Sequence, residues 1–147
     1  MPIPTTVYAH VRLTVTDIAR SRAFYDEVFG LPVVFEVPEG ADEATRAQLA
    51  FLEGGVIYSV GDNHFGLRPA APPGDRFDEN RVGLDHVSFR VGARADLENT
   101  VGVLEGLGVS HAGIKDLGPV YILEFRDPDN IALELAAAKA ADAPASS

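Results

Sequence analysis

HVRLTV, residues 10–15, and HVSFRV, residues 86–91, decide how this chain is read. In the first, Val11, Leu13 and Val15 alternate with His10, Arg12 and Thr14. In the second, Val87, Phe89 and Val91 alternate with His86, Ser88 and Arg90. A period of two is the signature of a half-buried β-strand, one face apolar and one face open. Each open face carries a histidine and an arginine, which calls for a reason beyond solubility.

The two stretches are copies in register. His86 follows His10 by 76 positions, Gly106 follows Gly30 by the same interval, and GLPV at 30–33 lies under GLGV at 106–109 without a gap. Around each copy the order is the same. A strand leads into a helix, TDIARSRAFYDEVFG in the first half and ADLENTVGVLEGLG in the second. Thr16 or Asp17 can cap the first helix and Gly30 can end it. Ile18, Tyr25, Val28 and Phe29 mark its apolar stripe, as Leu97, Val101 and Leu104 mark that of the second. Three strands then follow in each half. LPVVFEVP is one, and Gly54-Gly55 and Gly61-Asp62-Asn63 bound two more; VSHAGIK, VYILEFR and NIALELAA complete the second half. PEGADEATR reads as a polar loop, APPGDRFDENR as a linker and the Ala-rich end as a frayed tail.

The expected architecture is therefore α+β: two β-α-β-β-β modules forming curved, mostly antiparallel sheets around a central cleft. Module 1 spans about 7–70, the linker about 71–82, module 2 about 83–137 and the tail 138–147 of a single domain. One such module cannot easily bury its sheet face alone. The two histidines would open equivalent strands and look into one cavity.

Composition narrows the function. The chain has 147 residues, 46% hydrophobic and 23% charged, which suits one globular domain. It has no cysteine, so disulfides and thiolate chemistry are excluded. A net charge of −10 argues against nucleic acid or an anionic membrane as partner and would suit a cationic ligand. No basic region followed by an apolar run marks a signal peptide, and no stretch approaches the roughly 20 residues of a membrane span. A cytoplasmic protein is expected.

Two cavity histidines invite a metal ion. A third donor comes from RDPDNIALEL, 126–135. Asp127-Pro128-Asp129-Asn130 is a turn signal, and Asn130 tolerates left-handed backbone. In the strand that follows, Glu134 lies opposite the Ile131, Leu133 and Leu135 face, between Ala132 and Ala136. A carboxylate in such surroundings needs a partner. That partner is either a metal shared with His10 and His86, or one of Arg12, Arg90 and Arg126 in a structural ion pair.

HVRLTVTDIARSRAFYDEVFGLPVV, GLDHVSFRV and FRDPDNIALEL resemble the vicinal oxygen chelate superfamily of glyoxalases, extradiol dioxygenases, fosfomycin-resistance enzymes and bleomycin-resistance proteins. The resemblance spans about residues 7–137. It implies paired modules and a divalent metal (Fe, Mn, Zn or Ni) held by His10, His86 and Glu134. The open edges of such sheets favour pairing, so a homodimer is expected. The implied function is a metal-dependent enzyme acting on a small oxygen-bearing molecule that chelates the metal. The alternative is a metal-free protein that sequesters a drug or metabolite, for which Phe65 and Leu67 could help make an apolar pocket.

Aligning GDNHFGLRP with PDNIALELA through their Asp-Asn sets Leu67 opposite Glu134. Glyoxalase-type isomerases carry Glu or Gln there, so the leucine speaks against that reaction, and His64, three residues away, would face the other side. The position matching the extradiol tyrosine is Glu124, with no histidine five to seven residues before it; His111 lies too far upstream. The tail lacks the basic segment of fosfomycin-resistance enzymes. Tyr58 and Tyr121 lie in the third strands of their modules and could reach the pocket, although core packing is the expected reading for each.

Overall fold

The computed structural model describes residues 1–139. The chain divides into two compact units, residues 1–75 and residue 76 onward.

In unit 1 the order is β1 (His10–Thr14), α1 (Ile18–Val28), β2 (Val33–Phe35), α2 (Glu43–Gln48), a 3-10 turn (Ala50–Leu52), β3 (Val56–Val60) and β4 (Asn63–Arg68). The sheet runs β1-β4-β3-β2, with β1 parallel to β4 and the other pairs antiparallel. Asp17 caps α1 by accepting from the Arg20 N–H at 3.0 Å. Gly30, at φ +57°, takes the left-handed turn that stops it. Leu13, Val15, Tyr58, Phe65 and Leu67 are buried on one sheet face. The Tyr25 ring of α1 meets that of Phe65 at 5.4 Å. Complete burial of side chains this size contributes about 1.5–3 kcal/mol each.

Unit 2 contains β5 (Val87–Val91), α3 (Arg94–Gly106), β6 (His111–Asp116), β7 (Val120–Arg126) and β8 (Ala132–Ala138). Its sheet runs β5-β8-β7-β6, again with the first and last strands parallel. Leu97 and Leu104 of α3 are buried, as are Leu123, Phe125, Leu133 and Leu135 of the sheet. Each unit is thus the expected β-α-β-β-β motif in a mixed sheet.

Three segments depart from the sequence reading. The polar loop contains α2, whose cap Asp42 accepts from the Thr45 N–H at 2.7 Å. The linker is not free. The Phe77 N–H donates to the Asp129 carbonyl at 2.9 Å, and the Asn130 side chain donates back to the Phe77 carbonyl at 3.0 Å. The expected tail begins too early: Ala138 belongs to β8, and the Lys139 ammonium reaches both Asp116 oxygens at 2.8 and 2.9 Å. The rest of the tail lies outside the described residues.

Gly55 sits where β3 leaves the 3-10 turn, and a Cβ there would lie 1.9 Å from the Leu67 carbonyl oxygen. Backbone cannot yield that far, so Gly55→Ala should destabilise the protein by about 3 kcal/mol or more. Gly102 of α3 has nothing within 4 Å of such a Cβ. Gly102→Ala should stabilise by about 0.8–1 kcal/mol. Urea unfolding of the two variants checks both signs.

Candidate metal centre

The polar face of the unit 2 sheet forms a cleft of about 430 Å³. Pairing of Ser88 with Glu134 across β5 and β8 sets the donors of that cleft. The Ser88 hydroxyl donates to Glu134 Oε1 at 2.7 Å. The other oxygen, Oε2, stands 3.9 Å from His86 Nε2. On the far side of the ring, Nδ1 lies 2.5 Å from Asp85 Oδ1. Nδ1 then carries a proton toward Asp85, which leaves Nε2 to face Glu134. The carboxylate of Asp85, aided by Glu134, holds the His86 pKa above its ordinary value against the opposing effect of burial. The same field favours any other cation at Nε2.

Glu134 is mostly buried, its side chain 16% exposed. None of the three arginines pairs with it. Arg126 is engaged by Glu79, at 2.5 Å from Nη2 to Oε1 and 2.9 Å from Nη1 to Oε2. Arg12 donates to the Phe51 and Leu52 carbonyls in unit 1. Arg90 is exposed. The other cleft carboxylate on β7, Glu124, is bridged by Lys115 at 2.7 Å. Among the described residues Glu134 therefore has no lysine or arginine partner; the His86 ring faces it, and Glu124 stands opposite it on β7. His111 lines the same cleft but is used structurally: its Nδ1 accepts from the Gly113 N–H at 3.1 Å, and Nε2 points to Glu105 at 3.4 Å.

Imidazole nitrogen facing carboxylate oxygen is a donor set that fits a divalent ion. Two donors of one ion stand about 3–3.5 Å apart, so a small closure of the 3.9 Å gap would suffice. Both donors are oriented from behind, His86 by Asp85 and Glu134 by Ser88, as metal ligands are. Among the described residues no three His, Asp or Glu side chains gather closely enough to hold a metal ion as they stand. Unit 2 brings His86 and Glu134 together, while His10 opens β1 of unit 1. Asp85, Ser88 and Glu79 were missed in the sequence. The signal for the first two was adjacency: one precedes His86, the other shares its face.

Unit 1 corrects one alignment. Arg12 pairs with Gly66 and Leu13 with Leu67, as Ser88 pairs with Glu134 and Phe89 with Leu135. The counterpart of Glu134 is therefore Gly66, not Leu67. A shift of one residue moves every side chain to the other face. Leu67 and Phe65 belong to the core, 0% and 2% exposed, and cannot line an apolar pocket on the open face. His64 returns to the open face beside His10. A Cβ at Gly66 would lie 3.0 Å from Arg12 Cγ, so the arginine stem crosses the place of a ligand side chain.

The tyrosines divide. Tyr58 is in the core and donates to Asp26 at 2.8 Å; burial, then that bond, pushes its pKa well up. Tyr121 is only half-buried, between the Arg94 guanidinium at 5.0 Å and the Lys139 ammonium at 5.1 Å.

The β-α-β-β-β sheet found in each unit marks a class. The family model of the Glyoxalase/Bleomycin resistance protein/Dioxygenase superfamily matches residues 7–135, and the chain belongs to this vicinal oxygen chelate superfamily. It is 30% identical over 129 residues to the uncharacterized protein YaeR of Escherichia coli, covering 86% of this chain and 92% of YaeR. A glyoxylase/bleomycin resistance protein/dioxygenase domain from Frankia is 29% identical with a TM-score of 0.74, covering 92% of this chain and 93% of that one. The fosfomycin resistance protein FosX of Listeria monocytogenes, solved with Mn(II) and a dihydroxypropylphosphonic acid, shares the fold at 16% identity. Its TM-score is 0.69, over 92% of this chain and 94% of that one.

The Glu79–Arg126 pair also supports the turn that launches β8. Arg126 Nη1 reaches the Asn130 carbonyl at 3.1 Å, and Asn130 has the expected left-handed φ of 69°. Arg126 holds the Glu79 carboxyl down to about 2 from its ordinary 4.5. A carboxyl lowered by folding stabilises fully above its ordinary value and loses that contribution as pH falls toward 2. Glu79→Gln should therefore flatten the fall of unfolding free energy between these pH values by up to one proton's worth of slope, read by urea unfolding across the range.

Proposed function

We propose that the chain is a divalent-metal-dependent enzyme of the glyoxalase/dioxygenase type, acting on a small oxygen-bearing molecule. His10, His86 and Glu134 would hold the ion. The observation that carries the reading is the mostly buried Glu134 carboxylate, which faces His86 Nε2 and lacks a lysine or arginine partner. A bound ion of this type would supply Lewis-acid stabilisation of substrate oxygens or, as Fe(II), activate dioxygen. The chain's own contributions are positional. Asp85 keeps the His86 ring turned with Nε2 outward, and Ser88 keeps Glu134 Oε2 free. Arg126, part-exposed at the cleft wall, is held by Glu79 rather than by a ligand carboxylate. A cleft of 430 Å³ suits a small substrate.

The proposed location is the cytoplasm. The proposed assembly is a homodimer, since β1, β2, β5 and β6 are all edge strands. A second reading, a metal-free protein that sequesters a cationic antibiotic or metabolite, draws on the four carboxylates of Glu79, Asp85, Glu124 and Glu134 around the cleft. It ranks below the first because Glu79 and Glu124 are already bridged by Arg126 and Lys115.

Elemental analysis of untagged protein, followed by titration of the metal-free form with Fe(II), Mn(II), Zn(II) and Ni(II), tests the reading. About one ion per chain is expected. His86→Ala and Glu134→Gln should each abolish tight uptake, and wild-type uptake by either would reject the ligand assignment. Asp85→Asn should weaken affinity by about 10–100-fold while leaving the fold intact. No uptake by the wild type would leave the sequestering reading, to be tested with cationic antibiotics.

A further inference from the structure

We propose that Arg126 is the receptor for a substrate carboxylate, and that Glu79 occupies it until the substrate arrives. The substrate class is then a small carboxylic acid with a hydroxyl or carbonyl oxygen to offer the ion at His86 and Glu134. The inference deepens the metal reading and rests on it only for that second oxygen.

The open face of unit 2 sets these groups in rows. Arg126 pairs with Ala132 across β7 and β8. Extending the β5–β8 register by one residue puts Ala132 beside His86. Arg126, Ala132 and His86 therefore cross three neighbouring strands in line, and Glu124, Glu134 and Ser88 form the next row. Neighbouring strands are about 4.8 Å apart, so the backbones at Arg126 and His86 are about 10 Å apart. The residue between them in the row, Ala132, has only a methyl group. A small molecule lying over it can meet the guanidinium at one end and the His86–Glu134 donors at the other. All four residues line the same cleft.

Arg126 already holds a carboxylate. Glu79 meets it fork to fork, at 2.5 Å from Nη2 to Oε1 and 2.9 Å from Nη1 to Oε2. That is the planar, two-bond geometry in which arginine recognises a carboxylate. The pair is open to exchange, since the Arg126 and Glu79 side chains are 41% and 32% exposed. Nη1 also donates to the Asn130 carbonyl at 3.1 Å, so the guanidinium stays oriented when Glu79 departs.

Glu79 is built to depart. It lies between β4 and β5 on a stretch with no helix or strand. Phe77 is tied to the β7–β8 turn by its N–H and its carbonyl. Beyond Phe77 the backbone bonds are local: the Asn80 N–H goes to the Asp78 side chain and the Arg81 N–H to the Asp78 carbonyl. Val82 is fully exposed. The other ion pair of the cleft, Lys115 with Glu124, joins β6 to β7, whose backbones the sheet holds in place. Exchanging one carboxylate for another leaves the charge of the cleft unchanged, which is how a cleft lined by Asp85, Glu124 and Glu134 can admit an acid.

The test uses the full-length, untagged protein, first metal-free and then loaded. The probe is 3-hydroxybutyrate, and the control is 1,3-butanediol, the same skeleton without the carboxylate. In the metal-free protein the acid should shift the Arg126 Nε–H and Glu79 carboxyl NMR signals saturably, and the diol should not. Glu79→Gln removes the competing charge and should tighten binding of the acid about two- to fivefold, the worth of an exposed ion pair. Arg126→Lys keeps the charge but loses the fork, and should weaken it about tenfold or more. A Glu79 that only braced the turn would give weaker binding in Glu79→Gln. The wild-type signals test the exchange even where a variant fails to fold. The proposal is overturned if the wild type binds acid and diol alike, if it binds neither, or if Glu79→Gln binds the acid no tighter. If the acid binds as expected and no metal ion does, the Arg126 site stands and the metal reading falls. If an ion binds and the acid does not, the metal reading stands and the Arg126 site falls.

Discussion

Parallel pairing between the first and last strands of each module is the constraint on which the rest depends. It places His10 beside His64 and Ser88 beside Glu134, with no turn to define the register. A hairpin could have fixed such a register locally. A parallel pair has to be fixed by the intervening helix and two strands, and by the apolar face they bury. In unit 1 that face is Leu13, Val15, Phe65 and Leu67; in unit 2 Leu133 and Leu135 have the same task on β8. The polar face is then whatever remains, and chemistry collects there because packing has claimed the other side.

Much of this was legible in the sequence. Alternation in HVRLTV and HVSFRV marked both first strands, and the interval of 76 residues showed that the halves are one motif used twice. Asp17 and Gly30 marked the ends of α1 because capping and left-handed backbone are local demands. Residues 41–52 were not legible as helix. α2 has six residues and none of them is buried, so no apolar stripe announces it. Its signal was Asp42 with a run of helix-formers behind it, which is weak in so short a segment.

The site was legible where chemistry and pattern agreed. Glu134 between two alanines and His86 at the start of a strand stood out, and the structure sets them face to face. Their supporting residues were harder to see. Asp85 and Ser88 are ordinary surface residue types whose role depends on side-chain direction. Glu79 bonds to Arg126 across 47 positions, an association no local pattern carries. The Leu67 alignment failed for a different reason. The shared Asp-Asn pairs turn residues, whereas strand partners are set by the ladder, and the two differ by one residue.

Arg12 leads one step further. Its guanidinium fastens the end of the 3-10 turn by donating to the Phe51 and Leu52 carbonyls, the second of which also accepts from the Gly55 N–H, while its stem covers Gly66. The two halves of the chain have therefore divided their labour along the same rail of the sheet. In unit 2 this stretch presents donors; in unit 1 it fastens a loop. A carboxylate installed at position 66 would press on the Arg12 stem, so the arginine would have to give way by a few tenths of an ångström to admit it. Losing the arginine would free the 3-10 turn of the side chain that ties it to β1, so the loop that leads into β3 depends on a residue of the first strand.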